Sequence, residues 1–171
     1  MTIPLEVPSA SRARRRLRLL GLVLVGVLLL AWSPYRVAVV VGESMRPTFA
    51  SGDLLLVDRQ AYLDTEPARG DIVLVRARDE ILLKRVVGLP GERVGINDGA
   101  LYVNGQLAAE EHPIKPGSLE IGEGRLFDGK FALVGDNRAL PPHQTVHLVV
   151  TKEQIRGKII GAFRWRRTRR S

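Results

Sequence analysis

The sequence predicts a mainly β domain, a small barrel-like or sandwich fold, behind a single N-terminal helix of membrane-anchor character. Three observations predict it. Short runs rich in Val, Leu and Ile recur after residue 36, each bounded by Gly, Pro, Asp or Asn. With 17 Gly and 10 Pro in 171 residues, there are enough breakers to close every run in a turn. No long apolar stripe of helical period is visible beyond residue 36.

The elements follow in order. Residues 1–18 carry five arginines and one glutamate and read as a basic cytoplasmic segment. An uncharged run from Leu19 to Trp32 comes next, and residues 19–35 are expected to form a transmembrane anchor. A cationic flank stays on the cytoplasmic side, so the following domain is expected outside, with Trp32 and Tyr35 at the outer interface. The run is short for a span, which needs about 20 residues. Two alternatives stay open. A cleavable signal peptide fits the length and the Ala31-Trp32-Ser33 pattern, although Pro34 is hostile to cutting there. A buried core helix fits the apolar run but not its arginine flank.

In residues 36–164, the expected extracytoplasmic domain, strands are predicted at 36–41, 53–58, 71–76 and 81–87. Residues 93–96 and 100–103 flank Asn97-Asp98-Gly99 and predict a hairpin. Further strands are expected at 131–134 and 158–164, and one helical turn at 151–156 with Thr151 as its cap. Residues 112–125 read as a long surface loop, and residues 165–171 as a basic tail. That tail could touch anionic headgroups or simply be solvated.

Charge and composition exclude several functions. The net charge of +8 sits at the two ends, and the domain between them is nearly neutral. Aromatics are 5%, so the chain lacks the basic, aromatic-studded face of a nucleic-acid reader. The absence of cysteine removes disulfides, thiolate metal sites and a cysteine nucleophile. His143 and His147 have helical metal spacing, but Pro141 and Pro142 make that stretch a loop, so no metal is expected. His112, His143 and His147 all read as surface residues.

Three clusters can carry chemistry. Gly42-Glu43-Ser44-Met45-Arg46-Pro47-Thr48 follows a valine strand. A serine in a tight turn can present its hydroxyl and its backbone N–H together, as acyl transfer requires. Taken alone it is an ordinary turn serine. Lys84 lies inside the apolar run Ile81–Val87. Turned inward, it loses hydration, its pKa falls, and the neutral amine can accept the serine proton. Turned outward, it is an edge lysine that guards against aggregation. Strand alternation gives Lys84 and Arg85 opposite faces, so one can be buried while its neighbour is not. Gly135-Asp136-Asn137-Arg138 is a turn after a strand, with a structural reading of its own.

The segments GESMRPT, GDIVLVR, LLKRVVGLPGE and GDNR stand in the order and spacing of the conserved boxes of type I signal peptidases. DGALYVNGQ and IRGKIIGAFRW add to the likeness, which covers most of residues 36–138 and the C-terminal strand. The chain therefore resembles that family. The resemblance implies a β fold related to the catalytic domain of LexA-type repressors and a catalytic pair of Ser44 and Lys84. It implies an oxyanion site at the Ser44 N–H, with Met45, Pro47 and Thr48 shaping the turn. Gly42 stands where some members supply a second donor through a serine. Arg85 and Asp136 match a structural ion pair, with Arg138 beside it as further support. Val40, Val41, Met45 and Leu83 are candidate pocket walls. One departure stands out: Pro141 replaces the serine that helps orient the lysine, which implies either reduced activity, as in a specialised or degenerate paralogue, or a substitute in Thr145 or a water.

The implied function is serine endopeptidase cleavage of Ala-x-Ala signal peptides from exported preproteins, without a cofactor. The enzyme would be anchored once in the cell membrane, with its N-terminus in the cytoplasm. The alternative is a catalytically impaired relative that acts as a membrane-tethered peptide-binding module. A self-cleaving repressor is a weaker fit, since no helix-turn-helix pattern is present. A histidine in place of Lys84 as the base is a formal rival.

Overall fold

The computed structural model describes residues 10–141 and 144–164. The expected basic tail and His143 lie outside the described residues, as does part of the N-terminal segment. The chain divides into two units at Pro34/Tyr35.

The first unit contains helix α1, Ala10–Trp32. Five arginines fall within its first nine residues, and its uncharged stretch before Trp32 is Leu19–Ala31. At about 1.5 Å per residue that stretch spans roughly 20 Å, against about 30 Å of bilayer hydrocarbon. Among the described residues no helix is long and apolar enough to cross a membrane.

The second unit is β, as expected. Its strands are β1 (Tyr35–Val39), β2 (Leu54–Asp58), β3 (Ile72–Ala77), β4 (Glu80–Gly88), β5 (Arg93–Asn97) and β6 (Ala100–Val103). They continue with β7 (Gln106–Leu107), β8 (Ile121–Arg125), β9 (Lys130–Val134), β10 (Leu148–Thr151) and β11 (Ile155–Phe163). A seven-stranded sheet runs β1-β2-β11-β3-β4-β9-β10, and a four-stranded sheet runs β7-β6-β5-β8. All pairings between strands are antiparallel. The expected barrel is corrected to two open sheets. β1 and β10 end the larger sheet without pairing to each other, so it does not close.

The predicted hairpin forms across Asp98-Gly99, both at positive φ (47° and 72°). Within the stretch expected to be loop, residues 121–125 form β8. Ile-Gly-Glu-Gly-Arg has little strand propensity, and it is pairing with β5 that makes it a strand. Only Lys152–Gln154 is helical in the expected C-terminal turn, where the Gln154 side chain accepts a hydrogen bond from the Thr151 N–H (2.9 Å).

Three apolar clusters hold the domain. Val87 and Val134 of the larger sheet pack with Val94, Ile96 and Leu101 of the smaller one. Val73, Val75, Val86, Phe131, Leu133 and Val150 form the second cluster. Val40, Met45, Phe49 and Leu55 form the third, with Ile72, Leu83 and Ile159 against it. Neighbours Val86 and Val87 belong to different clusters, so the C-terminal half of β4 is covered on both faces.

Candidate active site

Lys84 and Arg85 are both buried, at 4% and 5% exposure. The expectation that alternation would bury one and expose the other is corrected: β4 is a central strand between β3 and β9, and its continuous run Lys84–Gly88 is buried. Burial is the dominant influence on Lys84. It lowers the amine from 10.5 to about 8, while the Asp136 carboxylate pulls the other way.

Ser44 lies half-buried in the turn that follows β1. Arg46 N–H bonds Glu43 O (3.2 Å) and Phe49 N–H bonds Met45 O (2.8 Å), folding the turn tightly. Met45, 1% exposed, anchors it in the third cluster. The segment after β9 holds it from the other side. Asn137 N–H donates to Ser44 O (3.0 Å), and the Asn137 amide donates to Glu43 O (3.1 Å). Gly135 is glycine for a steric reason: a Cβ there would stand 2.4 Å from Ser44 O and 3.3 Å from Ser44 Cβ.

Lys84 reaches the same place through strand register. Arg85 pairs with Val134 and Val86 with Leu133. Extending that register by one residue sets position 84 opposite Gly135, whose backbone is in contact with Ser44. The strand that carries Lys84 and the serine turn thus both lie beside one glycine.

Asp136, fully buried, is heavily bonded. Arg85 Nε and Nη2 donate to its two oxygens at 2.8 and 2.7 Å, and Thr48 Oγ1 donates at 2.5 Å. Arg85 Nη1 also donates to Gly70 O (2.7 Å). A bidentate guanidinium thus faces the buried carboxylate. Arg138, also fully buried, donates to Gly135 O (2.9 Å), Gly99 O (3.2 Å) and Glu110 Oε1 (2.9 Å).

The serine turn and the glycine-aspartate-asparagine turn are therefore packed together, beside the strand that carries the buried lysine. The profile described as "Signal peptidase, peptidase S26" matches residues 13–159. The chain belongs to this family.

Among curated relatives, a "Probable signal peptidase I-2" of Synechocystis sp. is 32% identical over 129 residues, 71% of this chain and 59% of its own length. "Signal peptidase I V" of Bacillus subtilis is 41% identical over 112 residues, 57% of this chain and 67% of its own. "Probable signal peptidase I-1" of Synechocystis sp. is 33% identical over 135 residues, 73% of this chain and 69% of its own. The chain thus spans between about three-fifths and seven-tenths of these relatives.

The remaining site residues divide. Val40, Met45 and Leu83 meet in the third cluster, but Val41 is 89% exposed and stands apart from it. Gly42 has φ +93°, and open space surrounds the place of a Cβ. Pro47 is exposed, beside a cis Arg46–Pro47 bond. Thr145 does not stand in for the missing serine, since its hydroxyl bonds Leu140 O (3.1 Å) and Pro141 O (3.2 Å) in its own turn. Pro141 is exposed whereas Lys84 is buried. A cavity of about 340 Å³ between β8 and β10, lined mostly by apolar residues, touches neither Ser44 nor Lys84.

Sequence reasoning missed Gly135 and Asn137 as parts of the serine turn's support, although the Gly-Asp-Asn motif was the available signal. It also placed His112 on the surface. Its side chain is 18% exposed, and its Nε2 is buried beside Glu110 and Asp136. His147 is exposed, as expected.

Proposed function

We propose that this chain is a serine endopeptidase that removes Ala-x-Ala signal peptides from exported preproteins, with Ser44 as nucleophile and Lys84 as general base. The observation that carries the reading is the buried Lys84 amine, brought down to about 8, on a strand whose register runs beside Gly135. At pH 7 about a tenth of such amines are uncharged, against about three in ten thousand for an ordinary lysine.

Neutral Lys84 takes the Ser44 proton as Oγ attacks the scissile carbonyl. The Ser44 N–H stabilises the oxyanion. As the tetrahedral intermediate collapses, the C–N bond breaks and the Lys84 ammonium gives its proton to the departing amine. Lys84 then deprotonates a water, which attacks the acyl ester and releases Ser44. Met45, Val40 and Leu83 form the apolar wall for small side chains, and the substrate backbone adds as an extended strand. Arg85, Thr48 and Arg138 hold Asp136 and its turn in place. The apolar half of α1, with neighbouring residues, anchors the chain once in the cell membrane, basic end inside. Anchoring confines enzyme and preprotein to one surface. The binding-module reading gains nothing from Pro141, which lies exposed.

The test is cleavage of a synthetic signal peptide, followed by mass spectrometry. Ser44→Ala and Lys84→Ala each lower kcat/KM by about 1000-fold or more. Wild-type kcat/KM rises about tenfold per pH unit up to about 8 and then levels. A well-folded wild type that leaves the peptide intact, or a profile still rising at pH 10, refutes the assignment.

A further inference from the structure

The apolar cluster shared by the two sheets is left open on one side. β8 and β10 are each the last strand of their sheet, and they do not pair with one another. Between them lies the cavity of about 340 Å³, floored by Val94 and Ile96 of β5 and Val134 of β9. Mostly apolar cavities of this size are ordinary small-molecule sites. Two further lining residues, Phe127 and Val149, are 78% and 57% exposed, so the cleft presents large apolar groups to solvent.

Gly124 of β8 pairs with Val94, so the two positions share one face of the smaller sheet, and both line the cavity. A Cβ at Gly124 would meet no atom within 4 Å, and its backbone is not in the left-handed region. Neither packing nor conformation demands glycine there. A strand glycine without such a reason marks a place where a ligand comes close. The polar side chains are as informative. Among the lining residues only Arg125 and His147 carry side-chain donors, and none is a carboxylate. Arg93, which pairs with Arg125 across the strands, is matched by Glu123 at 2.8 Å, whereas Arg125 has no ion pair among the described residues.

We propose that this cleft binds a free fatty acid, with the acyl chain along the apolar floor and the carboxylate on the Arg125 guanidinium. His147, which immediately precedes β10, supplies a further N–H donor from the other wall. An apolar trough with one unmatched cation and no acid is complementary to an apolar chain ending in one anion. An added peptide strand fits less well. β10 is four residues long and β8 has an irregular register, so both edges are poor templates. The cavity touches neither Ser44 nor Lys84, so the proposal stands apart from the proposed function.

Photolabelling of the full chain in phosphatidylcholine nanodiscs tests it. The probe is a dodecanoate with a terminal diazirine, and labelled peptides are mapped by mass spectrometry. Label is expected on residues 121–134 and 146–149. Gly124→Leu fills the cleft and lowers that labelling about tenfold or more. Unlabelled dodecanoate competes about fivefold better than dodecanol in wild type, and the two compete equally in Arg125→Gln. Label absent from the cleft, labelling unchanged in a Gly124→Leu protein with a wild-type urea midpoint, or dodecanol competing as well as dodecanoate in wild type overturns the proposal. If Gly124→Leu does not fold, the comparison of dodecanoate with dodecanol in wild type and Arg125→Gln decides alone.

Discussion

Replacing Lys84 with methionine separates the cost of the buried amine from its use. In the unfolded chain a lysine keeps its proton up to about pH 10.4. In the fold Lys84 gives it up above about 8. Between those values the unfolded chain binds more protons than the folded one, so stability rises with pH across that window. Below pH 8 both states are protonated and the whole penalty is present. Above about 10.5 both are neutral and it vanishes. The gap between 10.5 and about 8 corresponds to about 3 kcal/mol, at about 1.4 kcal/mol per pK unit. Methionine has a stem of similar length and no charge. Lys84→Met is therefore expected to stabilise the fold at pH 7 by about 3 kcal/mol, roughly 6–12 °C in Tm, while abolishing peptide cleavage. Urea unfolding of both proteins at pH 7, 8, 9 and 10.5 is the assay. A variant no more stable than wild type at pH 7, or a gain that fails to shrink toward pH 10.5, refutes the claim that burial lowers the Lys84 pKa.

Three further outcomes follow from the same geometry. Asp136→Asn leaves the Arg85 guanidinium buried without its counter-charge and lowers stability by about 3–5 kcal/mol in urea titration; it also removes the pull on Lys84, so the acid limb of the pH–rate profile moves to lower pH. Gly135→Ala drives a methyl against Ser44 O, at 2.4 Å before relaxation, and lowers kcat by about 100-fold or more in the peptide assay, whereas a near-wild-type value places the serine turn elsewhere. Pro141→Ser, which restores the family's usual residue at an exposed position, changes kcat by less than about threefold, and a larger rise shows that this loop reaches the lysine.

The pieces that were legible in the sequence are those whose chemistry is local. Breakers between β-branched runs mark strands because turn residues and strand residues differ in backbone preference. Asp98-Gly99 was readable because a tight hairpin turn needs positive φ at both central residues. Ser44 and Lys84 were readable as residue types in the right surroundings, and as members of boxes with a known order.

What the chain alone left open was set by pairing and coverage. Whether Lys84 faces protein or water depends on β4 being central, which is fixed by which strands flank it and not by Ile81–Val87 itself. The same centrality buried Arg85, so two adjacent cations needed different solutions: desolvation for one, a bidentate carboxylate for the other. β8 exists because β5 offers an edge to a glycine-rich segment. His112 looked like a solvated loop residue until the segment alongside Asp136 drew it inward. Residue type and spacing determine the available chemistry; burial, which governs pKa, is a property of contacts between segments far apart in sequence, and only the tertiary structure brings those together.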